Sequence, residues 1–306
     1  MTGFLELLTV FPIIDTVTRP LVRKQLQLYP FLELNISFIL MSTSGVLGKV
    51  IPLPPSVIIF WRCILAFALL FFFIKLRVRE GIRSNHRGFF IGSGILLAVH
   101  WTTYFHSIKL GGVAVGMLSL FTYPIITSLL EPLLFKIRYS WFDIASSLLI
   151  LWGLSLMVPE FSLENEVVQG ILWGIFSALI YSLRNLWNKK YIKVYSGSTI
   201  MCYQLLISAI VLSPALWIFP VQISTTSWIY LIILTVVTTA IAHTLFVQGL
   251  KHFSTSSVSI MSSLIPLYGV AWALLFTDEV LNKGIVLGGA IIIMAIVAQN
   301  VKYFRR

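Results

Sequence analysis

The feature that most constrains this chain is a series of apolar runs, each about 20 residues long, that follow one another from residue 31 to residue 301. A helix of that length crosses the hydrocarbon core of a bilayer. Charged residues make up 11% of the chain, compared with about 25% in a typical soluble protein. We therefore predict an all-α membrane protein with ten transmembrane helices. Their predicted bounds are 31–51, 57–76, 88–108, 113–135, 141–158, 168–187, 198–218, 227–249, 255–276 and 284–301.

The basic residues cluster in every second connection. If the N-terminus is cytoplasmic, 18 of the 22 Lys and Arg residues fall on the inner side, and Lys49, Lys109, Lys283 and Arg62 remain for the outer half. The positive-inside rule therefore predicts cytoplasmic termini at both ends and a place in the cell (inner) membrane. Topology and anionic lipid account for the net charge of +11, so we predict no nucleic-acid partner.

Residues 1–28 precede the first predicted span. The run from Phe4 to Ile14 is apolar but too short to cross a bilayer, and it contains Glu6. No basic stretch precedes it and no small-residue cleavage site follows it, so it does not have the pattern of a signal peptide. We predict an interfacial or disordered extension.

The second half of the chain repeats the first at a spacing of 142 residues. In this register Lys109 falls on Lys251, and Pro124 falls on Pro266. Each copy contains five spans, an odd number, so the second copy enters the membrane from the opposite side. We therefore predict two inverted five-helix repeats, residues 29–158 and 166–303, which is a common architecture among secondary transporters.

Two motifs extend this comparison to a known family. A proline lies in the middle of the fourth and ninth spans ("TYPIITSLLEP" and "SLIPLYGVAWALLFTDE"), and Glu279 closes the ninth. With ten short spans in paired repeats, residues 31 to 303 resemble the EamA family of the drug/metabolite transporter superfamily. In the first copy Ile137 matches Glu279, and Glu131 lies six residues earlier. The resemblance implies ATP-independent movement of small metabolites through a central cavity lined by the first four spans of each copy.

The stretch "AVHWTTYFHSIK", residues 98–109, places polar groups inside the third span. His100, Thr103, Tyr104 and Ser107 share one helix face. Lipid cannot satisfy such a face, so it meets either other helices or water. Hydrogen bonding between helices and a ligand-facing wall both remain open. We favour the wall, because the face carries an aromatic ring and a titratable donor.

Further candidates lie on other spans. Arg62, beside Trp61, can clamp a carboxylate or reach the headgroups, and Gln204 occupies the matching position of the second copy. Glu131 either snorkels to the interface or exchanges a proton, which makes proton coupling a hypothesis. Pro124 and Pro266 are predicted flex points, because proline removes a helical hydrogen bond. The predicted substrate-binding residues are His100, Thr103, Tyr104, Glu131, Arg62, Trp61, Gln204 and His243.

The sequence contains no catalytic motif and no spacing of metal ligands, so we predict no enzyme activity, metal or cofactor. We expect a secondary transporter, or permease, that moves a small metabolite such as an amino acid or a related compound by alternating access. A non-transporting membrane scaffold or a channel-like protein is the alternative. The spacing of Gly284 and Gly288 also suggests a homodimer contact.

Overall fold

The computed structural model describes residues 12–77, 81–135, 141–157, 162–242, 245–246, 262 and 264–304, and these contain helices and no strand. A π-helical segment spans Leu234–Ile241. The first helix begins at Pro12, so it includes part of the predicted extension. The α-helices are α1 Pro12–Val50, α2 Pro55–Arg77, α3 Arg87–Leu120, α4 Tyr123–Phe135, α5 Trp141–Leu156, α6 Glu166–Tyr191, α7 Gly197–Leu212, α8 Ala215–Ile218, α9 Thr225–Ile233, α10 Leu264–Phe276 and α11 Lys283–Phe304.

The described helices have the length and surface of membrane spans. Those long and apolar enough to cross a bilayer are Phe31–Val50, Pro55–Phe72, Ser84–Leu120, Glu166–Tyr191 and Gly197–Ile218. The shorter apolar helices are Ile144–Leu156, Thr225–Ile241, Leu264–Phe276 and Lys283–Ala298. Large apolar side chains such as Phe72 and Trp217 remain 68% and 88% exposed, which suits a surface solvated by lipid. The predicted all-helical membrane class is therefore confirmed.

The fourth predicted span is interrupted. Gly112, with a φ of 88°, bends α3, which resumes at Val113 and ends at Leu120. A two-residue turn follows, and α4 begins at Tyr123, one residue before Pro124. Proline is tolerated in the first turn of a helix, where its missing N–H would have no partner. The fourth span is therefore two short helical pieces, and the break lies just before Pro124.

The main helix contacts join the two halves of the chain. In the described residues α3 packs against α6 and α7, α2 packs against α7, and α5 packs against α11. The first helix, α1, packs against α10 and the π-helical segment. The apolar core accordingly draws side chains from both halves, such as Phe105, Leu205 and Ile292.

Glycines hold α5 and α11 in close contact. A Cβ atom on Gly288 would overlap the carbonyl oxygen of Gly153, and one on Gly284 would overlap the carbonyl oxygen of Leu156. A Cβ on Gly153 would come within 2.9 Å of the Gly288 carbonyl oxygen. Small residues allow two backbones to approach in this way. Gly284 and Gly288 therefore contact a helix of the same chain, so their spacing does not support the predicted homodimer.

Candidate functional site

The polar face of α3 lies against α6. Nδ1 of His100 is 2.8 Å from Oγ of Ser177, which in turn donates to the His100 carbonyl at 2.7 Å. Oγ of Ser107 donates to the Gly170 carbonyl at 2.6 Å. Thr103 donates to the carbonyl of Val99 in its own helix, at 2.8 Å. The polar groups of His100 and Ser107 thus join α3 to α6.

An aromatic layer, formed by His100, Tyr104, Tyr123 and Tyr181, crosses the middle of this region. The His100 ring stacks on Tyr181 with centroids 4.5 Å apart, and Tyr181 meets Tyr123 edge-on at 4.8 Å. The rings of His100 and Tyr104 are nearly parallel, with centroids 6.4 Å apart. The Tyr123 hydroxyl lies 3.4 Å from Oγ of Ser262, in the ninth predicted span. The layer therefore connects α3, α4, α6 and the ninth span.

Arg62 lies on one side of the aromatic layer and is only 3% exposed. Its Nε donates to Oγ1 of Thr239 at 2.8 Å, and its Nη2 donates to Oγ1 of Thr238 at 3.2 Å. Its guanidinium carbon is 4.0 Å from the centre of the Trp101 ring, a cation–π contact. Both threonines belong to the π-helical segment Leu234–Ile241. Such segments occur frequently at functional sites.

Arg184, on α6, is a second buried cation and is 9% exposed. Its Nε donates to Oε1 of Gln204 at 3.1 Å, and its Nη2 donates to the same oxygen. Nε2 of Gln204 donates to Oδ1 of Asn188 at 2.9 Å. Sequence reasoning assigned Arg184 to the inner, solvated side. Its position within the predicted span 168–187 was the available signal, because an arginine there requires a partner or a path to the interface.

The two arginines lie at different levels of the bundle. Arg62 contacts the third span at Trp101, whereas the backbone of Gln204, the partner of Arg184, approaches the same span at Gly94. Seven residues separate Gly94 from Trp101, and this corresponds to about 10 Å along an α-helix. Tyr181 of the aromatic layer and Arg184 are three residues apart on α6, so their side chains neighbour one another on that helix. A buried guanidinium therefore lies near the aromatic layer at each of these two levels.

The remaining predicted site residues are dispersed. Trp61 packs edge-on against Trp228 of α9 with centroids 4.7 Å apart. Its buried Nε1 has no acceptor among the described residues. Glu131 belongs to α4, but its side chain lies outside the described residues, as does all of His243. Sequence reasoning missed Tyr123 and Tyr181, because a lone tyrosine in an apolar span has no distinctive spacing.

A carboxylate joins the connection after α10 to the bend in α3. The backbone N–H groups of Val113 and Ala114 donate to Oε2 and Oε1 of Glu279 at 3.0 and 3.1 Å. These groups begin the helical piece that follows Gly112, and negative charge stabilises a helix N-terminus. A Cβ on Gly112 would overlap this carboxylate. Glu279, singled out by the family resemblance, is therefore a helix cap.

Changing Gly112 to alanine should destabilise the protein by about 1–3 kcal/mol. The backbone at φ 88°, ψ 173° lies in a region that only glycine readily occupies, and the added methyl would displace the Glu279 carboxylate. Glu279→Gln should lose about 1 kcal/mol, because the amide nitrogen cannot accept an N–H. The measurement is the free energy of unfolding in detergent, with Gly81→Ala as control, since a Cβ there meets nothing within 4 Å.

Because both changes break the same contact, the double variant Gly112→Ala/Glu279→Gln should lose less stability than the sum of the single losses. Full additivity would show that Glu279 does not stabilise the bend.

An apolar helical bundle with buried cations and aromatic rings at its centre defines a multi-pass membrane protein with an internal polar site. Among known proteins, the family model described as EamA-like transporter family matches this chain twice, at residues 32–158 and 168–300. The chain belongs to the EamA-like transporter family. It is thus a membrane transporter and not an enzyme, as the sequence predicted.

Individual proteins agree with this assignment. The chain is 23% identical to the uncharacterized transporter YxxF of Bacillus subtilis (strain 168), over 80% of this chain and 81% of the relative. It is 28% identical to an uncharacterized transporter of Archaeoglobus fulgidus, over 63% of this chain and 69% of the relative. A solved crystal structure superposes with a TM-score of 0.64 at 18% identity, covering 92% of this chain and 99% of that chain. This last likeness concerns the fold.

Proposed function

We propose that this chain is a secondary transporter that moves a small metabolite by alternating access between two inverted five-helix repeats, residues 29–158 and 166–303. The observation that carries the proposal is the exchange of helix contacts between the halves. The first to fifth spans correspond in order to the sixth to tenth. A twofold relation between the copies should therefore exchange the third span with the eighth and the sixth with the first.

The described contacts follow this exchange. The pair α3 and α6 has its counterpart in the π-helical eighth span and α1, and the pair α4 and α6 has its counterpart in α10 and α1. The pairs α2 with α7 and α5 with α11 each join a span to its own equivalent. Helix starts support the same register, since Pro55 and Gly197, like Trp141 and Lys283, are 142 residues apart.

An odd number of spans in each copy puts the twofold axis in the membrane plane. Outward-open and inward-open states are then built from the same two folds and have similar energies. With both termini cytoplasmic, Arg62 lies in the outer half of the bundle and Gln204 in the inner half. The predicted residues Arg62, His100, Tyr104 and Gln204 would line the path between these states, with the break before Pro124 and the residue Pro266 as flex points.

Mutually exclusive labelling from the two sides tests this proposal without a known substrate. Ser44 of α1 and Ser182 of α6 are buried and lie in the predicted outer and inner halves. In a background with Cys63→Ala and Cys202→Ala, Ser44→Cys should react with an impermeant maleimide from outside, and Ser182→Cys should react from inside. In the double variant, modification at one position should slow modification at the other about tenfold or more, because an adduct holds one side open. Ser84→Cys, exposed in a connection, controls for inner access.

The alternatives give different results in the same experiment. A channel would let both cysteines react together, independently of each other. A scaffold would leave both protected while Ser84→Cys reacts. Either pattern would contradict alternating access.

A further inference from the structure

Buried positive charge without a carboxylate partner is the feature of the central region that remains unexplained. In the part of the chain that the structure describes, no carboxylate forms an ion pair with Arg62 or Arg184. Their acceptors there are neutral: the oxygens of Thr238, Thr239 and Gln204, and Sδ of Met201. Neutral acceptors offset less of the desolvation cost of a guanidinium than an anion does. A bound anion would balance this charge within the bundle.

The surroundings of Arg62 offer further donors. Hydrogen bonds from Arg62 to the described residues use Nε and Nη2, which leaves Nη1 for another acceptor. The hydroxyl of Thr235, one turn before Thr239, is buried with no partner among the described residues, and so is Nε1 of Trp61. Buried polar groups in native proteins usually have a partner, so such a group indicates a bound water, ion or ligand.

Two lysines add positive charge at the predicted outer ends of the first and third spans. Nζ of Lys109 donates to the carbonyls of Lys49, at 2.9 Å, and of Ile51. Nζ of Lys49 approaches the Lys109 carbonyl at 3.4 Å. Both ammonium groups thus have neutral backbone acceptors. An entrance lined by one sign of charge concentrates ligands of the opposite sign.

We propose that the transported molecule is an organic anion carrying a carboxylate or a phosphate, and that Arg62 is its charge partner. This inference rests on the proposed function and names the substrate class of that site. The cation–π contact with Trp101 and the two threonines hold the guanidinium in one orientation, and a planar guanidinium binds carboxylate and phosphate oxygens in pairs. An aromatic layer beside it accommodates the uncharged part of the anion.

This class differs from the amino-acid class suggested by the sequence. A zwitterion needs an acceptor for its ammonium group as well as a cation for its carboxylate. The described side chains around Arg62 supply a guanidinium, hydroxyls and an indole N–H, and the described Glu279 is engaged at the bend of α3. The described groups around Arg62 therefore favour a ligand of net negative charge.

Matched aromatic probes of different charge test the proposal on the purified full-length protein. Thermal unfolding is followed with 3-phenylpropionate and phenyl phosphate as anions, phenylalanine as zwitterion and 2-phenylethylamine as cation, at equal concentrations. We expect at least one anion to raise Tm and the amine to leave it unchanged. Preference between the two anions identifies carboxylate or phosphate as the recognised group.

Variants assign the effect to Arg62. Arg62→Gln should weaken anion binding about 10- to 100-fold, because it removes both the charge and the paired donors. Arg62→Lys should retain part of the binding, since it keeps the charge but loses the fork. Arg83→Gln, which removes the same charge from an exposed connection, should bind like wild type. If Arg62→Gln does not fold, the same four probes are compared on wild type and on Arg62→Lys. That comparison still decides whether the site prefers an anion and whether Arg62 contributes to the preference.

The proposal is overturned if no anion raises Tm more than the amine does, or if the anion effect persists in Arg62→Gln. Failure here is distinguishable from failure of the transporter proposal. If labelling of Ser44→Cys and Ser182→Cys is mutually exclusive but the protein prefers phenylalanine or the amine, alternating access is supported and an anionic substrate is rejected. Loss of that exclusivity would reject the transport mechanism, whichever probe binds.

Discussion

Gln204→Leu is expected to lower the free energy of unfolding by about 3 kcal/mol, because a buried donor that loses its partner costs more when it is charged than when it is neutral. Two nitrogens of Arg184 donate to Oε1 of Gln204, and both side chains are buried. Leucine has a similar volume but no oxygen, so the guanidinium would lose its oxygen acceptor and keep only Sδ of Met201, a weak acceptor. Asn188 would also lose the donor that Gln204 provides. Chemical denaturation in detergent, followed by circular dichroism, measures the loss.

Two matched variants separate the lost acceptor from a packing defect. The double variant Arg184→Met/Gln204→Leu removes the stranded charge along with its partner, so it should recover most of the stability lost in the single variant. Gln204→Glu keeps the shape and converts the contact into an ion pair, so it should be much less harmful than leucine. If the double variant were as unstable as Gln204→Leu, the loss would come from packing and not from charge.

Gly288→Val is expected to destabilise the protein by about 3 kcal/mol or more, at the upper end of overpacking effects. The added side chain would overlap the carbonyl oxygen of Gly153 across the α5–α11 contact, and a backbone atom cannot rotate away. The helices would have to separate, with loss of apolar contacts along both. The same denaturation measurement reports the effect.

Gly88→Val is the matched control, because a Cβ at Gly88 meets nothing within 4 Å. It should remain within about 0.5 kcal/mol of wild type, as is usual for substitutions away from packed features. Equal losses at Gly88 and Gly288 would show that β-branching in a helix, and not the α5–α11 contact, is responsible. If Gly288→Val proved neutral, α5 and α11 would not need this close approach.

Much of the class of this protein follows from composition and periodicity. Lipid imposes long apolar helices on any chain that crosses it, so the all-helical membrane class can be read from segment length. The family could also be recognised, because Pro124 recurs as Pro266 and Glu279 closes the ninth span, a pattern tied to the order of the spans. Arg62 was identifiable as a residue in need of a partner, since a charge within a span is costly wherever the fold places it.

The partners themselves could not be predicted. A sequence places His100 and Ser107 on one helix face, but their hydrogen bonds to Ser177 and Gly170 depend on α6 lying against that face. The charge distribution placed Arg184 on the inner side. Its position near the end of a span does not reveal whether the side chain faces the bundle or the membrane surface. The spacing of Gly284 and Gly288 indicated a close helix approach, but it carried no information on whether the partner helix belonged to the same chain.

The sequence by itself thus determined the lipid environment, the helical class and the family. These depend on local hydropathy and on the spacing of motifs along the chain. Only the tertiary structure decided that two buried guanidinium groups have neutral partners near an aromatic layer, that Glu279 caps the helix after Gly112, and that Gly288 meets Gly153. The physical reason is that each of these contacts joins residues from different helices. Their energies depend on distances of a few ångströms that no linear spacing specifies.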